Sequence, residues 1–102
     1  MATRLNAHMQ TRHPQPGKAA PRISRVKYDA IRDAILRAVP RHDEGILFSE
    51  LPAQVERLLP RRVKERLGSV GWYTVIVKLD LEARRILERI PGARPQRIRR
   101  LR

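Results

Sequence analysis

The sequence predicts a mainly α-helical domain that ends in a small β-hairpin and follows a disordered arm. Two observations support this α+β prediction. Apolar residues recur at helical spacing in three segments between residues 25 and 84. After them, two short runs of aliphatic and basic residues flank residues 91–95, which contain two prolines and a glycine typical of a turn. We therefore expect three helices followed by a two-stranded hairpin.

Residues 1–25 are predicted to be a disordered basic arm, and residues 26–102 to be the folded domain. Prolines and Gly17 interrupt any helix in the arm, and few large apolar side chains are present to offset the entropy of ordering. The arm is either a contact for a polyanion or an inert tail that happens to be basic. It contains no acid, and its basic residues are Arg4, Arg12, Lys18, Arg22 and Arg25.

The first helix is expected over residues 25–39. Ser24 can cap its amino end, and Pro40 ends it. Its buried stripe is predicted from apolar residues at helical spacing, which are Ile31, Ala34, Ile35, Ala38 and Val39.

A short strand is expected at residues 46–48, and a second helix after it. Ser49 is the predicted N-cap of this helix, and Pro52 is tolerated in the first turn because its amides lack intrahelical partners. Pro60 ends the helix. The predicted buried stripe contains Leu51, Val55, Leu58 and Leu59.

Residues 61–67 can form one or two helical turns closed by Gly68, with Ser69 as the next N-cap. The third helix is then predicted over residues 70–84. Asp80 and Arg84 have the i,i+4 spacing of an ion pair, which we place on its outer surface. Its inward face is predicted to contain Trp72, Val75, Ile76, Leu79 and Ala83.

Strands are predicted at residues 86–90 and 96–101. The segment Lys78-Leu79-Asp80-Leu81-Glu82-Ala83-Arg84-Arg85-Ile86-Leu87-Glu88-Arg89 resembles the end of the recognition helix and the first wing strand of bacterial winged helix-turn-helix domains. This resemblance implies that the third helix enters a DNA major groove and that the hairpin, or wing, lies along the backbone. Arg85 departs from the pattern, because winged helices often place glycine there.

A narrower resemblance covers about residues 26–101. Residues 68–74, together with residues 27–32 and the segment above, look like a small uncharacterised bacterial family. This resemblance implies a fold and no activity.

Docking on DNA would bring the outward residues Tyr73, Thr74 and Lys78 to the bases. Tyr73, Val77 and Leu81 also form a second apolar stripe, which instead favours packing on residues 60–68 or on a partner subunit. The predicted phosphate contacts are the guanidinium groups of the wing, since their planar fork donates two hydrogen bonds at once. They belong to Arg94, Arg97, Arg99 and Arg100, with Arg102 at the end of the chain.

Composition limits the possible functions. The formal net charge of +13 attracts polyanions, and the chain has no cysteine for a disulfide, a thiolate metal site or a nucleophile. The three histidines lack metal-ligand spacing, and the serines fit helix caps better than nucleophiles. We expect a cytoplasmic protein without membrane span, metal or cofactor, and not an enzyme.

Three functions remain open. The first is a small transcriptional regulator that binds double-stranded DNA through wing and arm arginines. The second is a protein-interaction module, possible as a homodimer, that uses the stripe of Tyr73, Val77 and Leu81. The third is RNA or ribosome binding through the basic arm.

Overall fold

The computed structural model describes residues 7–101, and within them the chain forms four α-helices and two small antiparallel sheets. The helices are α1 (Arg25–Ala38), α2 (Leu51–Leu58), α3 (Arg61–Leu67) and α4 (Val70–Ala83). The strands are β1 (His8–Gln10), β2 (Arg22–Ser24), β3 (Ile46–Leu47), β4 (Leu87–Arg89) and β5 (Arg97–Arg100). The α+β prediction is therefore confirmed, with one helix more than expected.

The second sheet has the order β3-β5-β4, so the C-terminal hairpin is joined by a third strand from the middle of the chain. Ile46 pairs with Ile98, and on the other side Arg89 pairs with Ile98 and Leu87 with Arg100. Ile98 is fully buried and attaches the sheet to the helical core. The core residues shared by sheet and helices include Ile31, Ile35, Leu51, Val55, Val77, Leu81 and Leu87.

Local capping signals fix three of the helix ends. The Ser24 hydroxyl accepts from the Lys27 amide, and the Ser69 hydroxyl accepts from the Trp72 amide at 3.0 Å, as predicted. Gly68 ends α3 with a positive φ of 81°, a conformation that glycine adopts without steric cost. The segment 61–67 is therefore a helix of its own.

The predicted N-cap at Ser49 is wrong. Residues Phe48–Glu50 form a turn of 3-10 helix, and α2 begins only at Leu51 without a side-chain cap. The Phe48 amide donates to the Gln96 carbonyl at 2.9 Å, so the turn is tied to the sheet instead of opening the helix.

Gly45 allows the chain to pass directly beneath β5. A Cβ at this position would lie 2.0 Å from the carbonyl oxygen of Ile98, and φ is +57°. Both the space and the backbone conformation therefore require glycine where the loop after α1 enters β3.

The predicted disordered arm departs from the structure over residues 7–25. Strands β1 and β2 pair as an antiparallel hairpin, with Met9 opposite Ile23, and Ile23 is buried. The hairpin packs on α1, so residues 8–24 belong to the folded unit. Residues 1–6, including Arg4, and Arg102 lie outside the described residues.

Asp80 joins this hairpin to the helices. Its carboxylate is fully buried, and it accepts hydrogen bonds from the Arg84 Nε (2.9 and 3.0 Å), the Tyr28 hydroxyl and the Arg12 amide (2.8 Å). The Asp80–Arg84 pair therefore forms as the spacing predicted, but it lies inside the protein and not on its outer surface. A buried carboxylate is tolerated only when it is paired and fully hydrogen-bonded, which explains the convergence of three elements on it.

Burial and the Asp80 carboxylate both raise the pKa of Tyr28 above its ordinary value of 10.0. Ionisation of the phenol would remove the hydrogen that it donates and place a second negative charge beside Asp80.

Arg85 follows α4 with a positive φ of 62°. This is the position at which we noted the absence of a glycine, and a left-handed conformation costs an L-residue about 1 kcal/mol. The helix-to-strand turn is therefore formed in spite of this residue.

The Tyr28→Phe variant tests the Asp80 cluster. It should be less stable than the parent at pH 7 by about 1 kcal/mol, because one buried hydrogen bond is lost. Above pH 10 the parent's advantage should shrink, since the unfolded chain releases the phenolic proton that the folded chain holds. Urea unfolding between pH 7 and 11 measures both, and a constant difference across this range would contradict the contact.

Arg85→Gly should raise the free energy of unfolding by up to about 1 kcal/mol, because glycine adopts the left-handed conformation without strain. As a control, Arg57→Gly in the ordinary helical backbone of α2 should lower it by about the same amount. Thermal unfolding of the two variants separates them, and a loss of stability in both would rule out strain at Arg85.

Candidate nucleic-acid interface

The predicted inward face of α4 is wrong at Trp72 and Val75, whereas Ile76 is partly buried and packs against the core as predicted. The expected inward residues Trp72 and Val75 are exposed, by 47% and 37%, whereas Val77 and Leu81 are buried in the core. The helix carries apolar residues on both sides, so their spacing alone could not decide which side faces inward. The burial of Asp80 with its hydrogen-bond partners determines which side of α4 faces the core.

Two of the three predicted base-contacting residues are therefore not at the surface. Thr74 is fully buried, and Lys78 is 3% exposed. Tyr73 is half-buried and packs against the core. Thr74 and Lys78 therefore do not lie on the outer side of α4, where we expected them to reach the DNA bases.

The ammonium group of Lys78 contacts three side chains of the protein. Its ammonium group forms an ion pair with Glu82, donates to Gln96 Oε1 at 2.9 Å and lies 4.5 Å from the centre of the Phe48 ring. Gln96 belongs to the loop between β4 and β5, so these contacts fix that loop against α4. The ammonium group is thus satisfied within the protein and positions the hairpin.

The hairpin arginines differ in their availability. Arg94 is exposed, and Arg97 donates from Nε to the Glu44 carbonyl at 2.8 Å. Neither forms an ion pair with a residue in the described part of the chain. Arg100 is half-buried, and its Nε is enclosed without a hydrogen-bond partner among residues 7–101. Of the predicted phosphate ligands, Arg94 is therefore exposed and without an ion pair among residues 7–101, and Arg97 is half-buried, with one hydrogen bond to the backbone and no ion pair there.

The positive charge of Arg99 is compensated by two carboxylates. Its guanidinium group pairs with Glu88 on β4 at 2.8 Å and with Asp43 at 3.2 Å. Glu88 and Arg99 face each other in the register of the two strands, so this pair holds the hairpin together. Arg89 at the end of β4 is exposed and lies next to the β4–β5 loop. We did not single it out from the sequence.

A second basic surface lies between the start of α1 and α3. A groove of about 360 Å³ is lined there by Ser24, Val26, Lys27, Arg62, Val63 and Arg66. Arg62 and Arg66 are close together in the sequence, but nothing in the local pattern joins them to Lys27. Tertiary packing of α1 against α3 brings them together.

An exposed apolar stripe runs along the outer side of α4. Trp72 and Val75 are exposed and Leu79 is half-buried; the three recur at helical spacing, and none of them is among the core residues or the side chains packed against the core. The Trp72 ring meets the Tyr73 ring edge-on, with 4.9 Å between ring centres. Exposed aromatic and aliphatic groups in a continuous row are typical of binding surfaces.

Carboxylates in a second open cavity are already engaged. This cavity of about 380 Å³ is lined in part by Glu82 and Glu88, which pair with Lys78 and Arg99. Within residues 7–101, no cluster of three or more acidic or histidine side chains is placed to hold a metal ion. The described helices also include none long and apolar enough to cross a membrane.

The model of a family described as being of unknown function, DUF6958, matches residues 8–98. The match begins at the first residue of β1, so it includes the N-terminal hairpin with the helices and most of the second sheet. No curated protein and no solved structure matches the chain.

Proposed function

Since the chain belongs to the DUF6958 family, which has no known function, we propose one from its own surface: it is a small winged-helix protein that binds double-stranded DNA. The order of elements from α1 through β3, the helices and the β4–β5 hairpin supports this proposal, as does the sheet order β3-β5-β4. In this arrangement α4 takes the place of the recognition helix and the β4–β5 hairpin that of the wing.

The observation that carries the proposal is a set of guanidinium groups near the tip of the hairpin that form no ion pair within residues 7–101. Arg89, Arg94 and Arg97 flank or occupy the β4–β5 loop, and residues 89–101 contain no acid. The nearest carboxylate on the hairpin, Glu88, is held by Arg99. The tip therefore concentrates positive charge in groups whose geometry suits phosphate oxygens.

Base reading is a small part of this mode of binding. Lys78 and Thr74 are buried, so α4 offers few donors or acceptors to the major groove. Phosphate contacts position a protein on the duplex without distinguishing sequences. We infer that the affinity comes mainly from counterion release and falls steeply as salt rises.

Reversing two hairpin charges tests this function. The double variant Arg94→Glu and Arg97→Glu should bind a labelled random-sequence DNA duplex at least tenfold more weakly than the parent. The slope of log affinity against log salt should also decrease by about 2, since each lost phosphate contact removes close to one released counterion. Fluorescence anisotropy with the full chain measures both quantities, because the N-terminal hairpin is part of the fold.

The matched control is Arg37→Glu with Arg57→Glu, which changes the net charge equally at exposed positions in the last turns of α1 and α2. Equal weakening by both double variants would show that binding follows net charge and not the hairpin. That outcome would overturn the proposed interface.

The exposed stripe of α4 favours a second candidate, a protein-interaction module. The stripe of Tyr73, Val77 and Leu81, which we predicted for this role, cannot contact a partner protein, because Val77 and Leu81 are buried. Trp72, Val75 and Leu79 replace it on the opposite side of the helix. A stripe of this kind also fits a homodimer, in which each copy would cover the same apolar residues of the other.

Val75→Lys tests the second candidate. If copies associate through the stripe, sedimentation velocity should show a dimer that persists in high salt and dissociates in the variant, because a buried lysine would replace an apolar contact. Arg37→Lys, an exposed substitution elsewhere that keeps the charge, should leave the dimer intact. A monomer at all accessible concentrations would contradict self-association through α4.

A further inference from the structure

The groove between α1 and α3 differs chemically from the hairpin tip. Its lining combines two aliphatic side chains, Val26 and the partly buried Val63, which we call the floor, with the basic side chains of Lys27, Arg62 and Arg66, which we call the rim. Val26 is 74% exposed although it lies in the first turn of α1. An aliphatic side chain exposed in a groove makes no contribution to the core, so its surface is available to a partner.

The rim of the groove carries three cations and no acid. The ion pairs of the described residues leave out Lys27, Arg62 and Arg66, whereas the neighbouring Arg61 pairs with Glu65 at 3.5 Å. Long basic side chains can place their methylene groups on an apolar surface and keep the charged head in water. The rim is therefore positive, and the floor below it is apolar.

Lys27 connects this groove to the aromatic residues of α4. Its ammonium group lies 5.6 Å from the centre of the Tyr73 ring, and Tyr73 contacts Trp72. Trp72 is the only tryptophan of the chain and is half-exposed, so its fluorescence can report on a ligand near Tyr73.

We propose that this groove binds an acidic amphipathic helix of a partner protein. Such a helix places aliphatic side chains at i, i+3 and i+4 on the valine floor and carboxylates on both flanks against the basic rim. Charge complementarity sets its orientation and excludes basic helices. A nucleic acid would use the three cations, but the two valines offer nothing to its phosphates or sugars.

The proposal is independent of the hairpin function. The hairpin arginines belong to the β4–β5 loop and its flanks, whereas the groove is formed by α1 and α3. A DNA duplex on the hairpin and a protein helix in the groove would therefore use different residues.

A synthetic helical peptide tests the groove. The probe is a labelled peptide of leucine and glutamate in a heptad pattern, compared with a peptide of the same composition in scrambled order. The full chain should bind the patterned peptide saturably with a change in Trp72 fluorescence, and the scrambled peptide at least tenfold more weakly. Equal binding of the two peptides, or no binding, would overturn the proposal.

Two variants separate the floor from the rim. Val26→Asp, at an exposed position, should weaken binding of the patterned peptide at least tenfold, and so should Arg62→Glu with Arg66→Glu. The control Arg37→Glu with Arg57→Glu changes the net charge equally and should alter binding less than threefold. Circular dichroism should show the same helix content in all variants.

Competition with a random-sequence DNA duplex identifies the class of partner. The duplex should not displace the peptide at salt concentrations where the hairpin binds it. Displacement, combined with full binding by Val26→Asp, would show a phosphate site in place of a protein groove and would overturn the proposal.

Discussion

The buried carboxylate of Asp80 is the interaction on which the arrangement of the other elements depends. Its donors come from three parts of the chain: Arg84 directly after α4, the Tyr28 hydroxyl on α1 and the Arg12 amide after β1. Removal of any donor would leave part of a buried charged group unsatisfied. This requirement sets the rotation of α4 about its axis. With Asp80 inside, Val77 and Leu81 fill the core, and the opposite stripe of the helix faces solvent.

Local signals in the sequence predict element boundaries well in this protein. The caps at Ser24 and Ser69 and the left-handed turn at Gly68 act within one helical turn, so a single-sequence reading finds them. The face of α4 could not be found this way, because apolar residues surround the helix and an i,i+4 pair of opposite charges is usually solvated. The ordering of the N-terminal hairpin depends on a hydrogen bond between residues 68 positions apart, which no local pattern reveals.

In the candidate sites too, some features are predictable from the local sequence and others depend on tertiary contacts. The basic hairpin was predictable from composition and position, since five arginines occur near the end of the chain without an acid among them. The ion pairs that occupy Arg99 were not, because Asp43 reaches it from 56 positions away. The groove beside α3 likewise exists only after α1 packs on that helix. Net charge thus indicates that a polyanion or an acidic surface is attractive, whereas tertiary structure decides which cations remain to meet it.

The attachment of the first strand to Asp80 also has a consequence for the order in which the molecule is assembled. Synthesis proceeds from the amino end, so residues 8–24 leave the ribosome long before their anchor on α4 has been made. Contacts between distant segments form late, because the intervening chain must first be closed into a loop. The hairpin can dock only after α1 and α4 have come together. Residues 8–24 are then synthesised before the segments that secure them, and until that step we expect them to be a basic, extended segment open to proteases and to other polyanions.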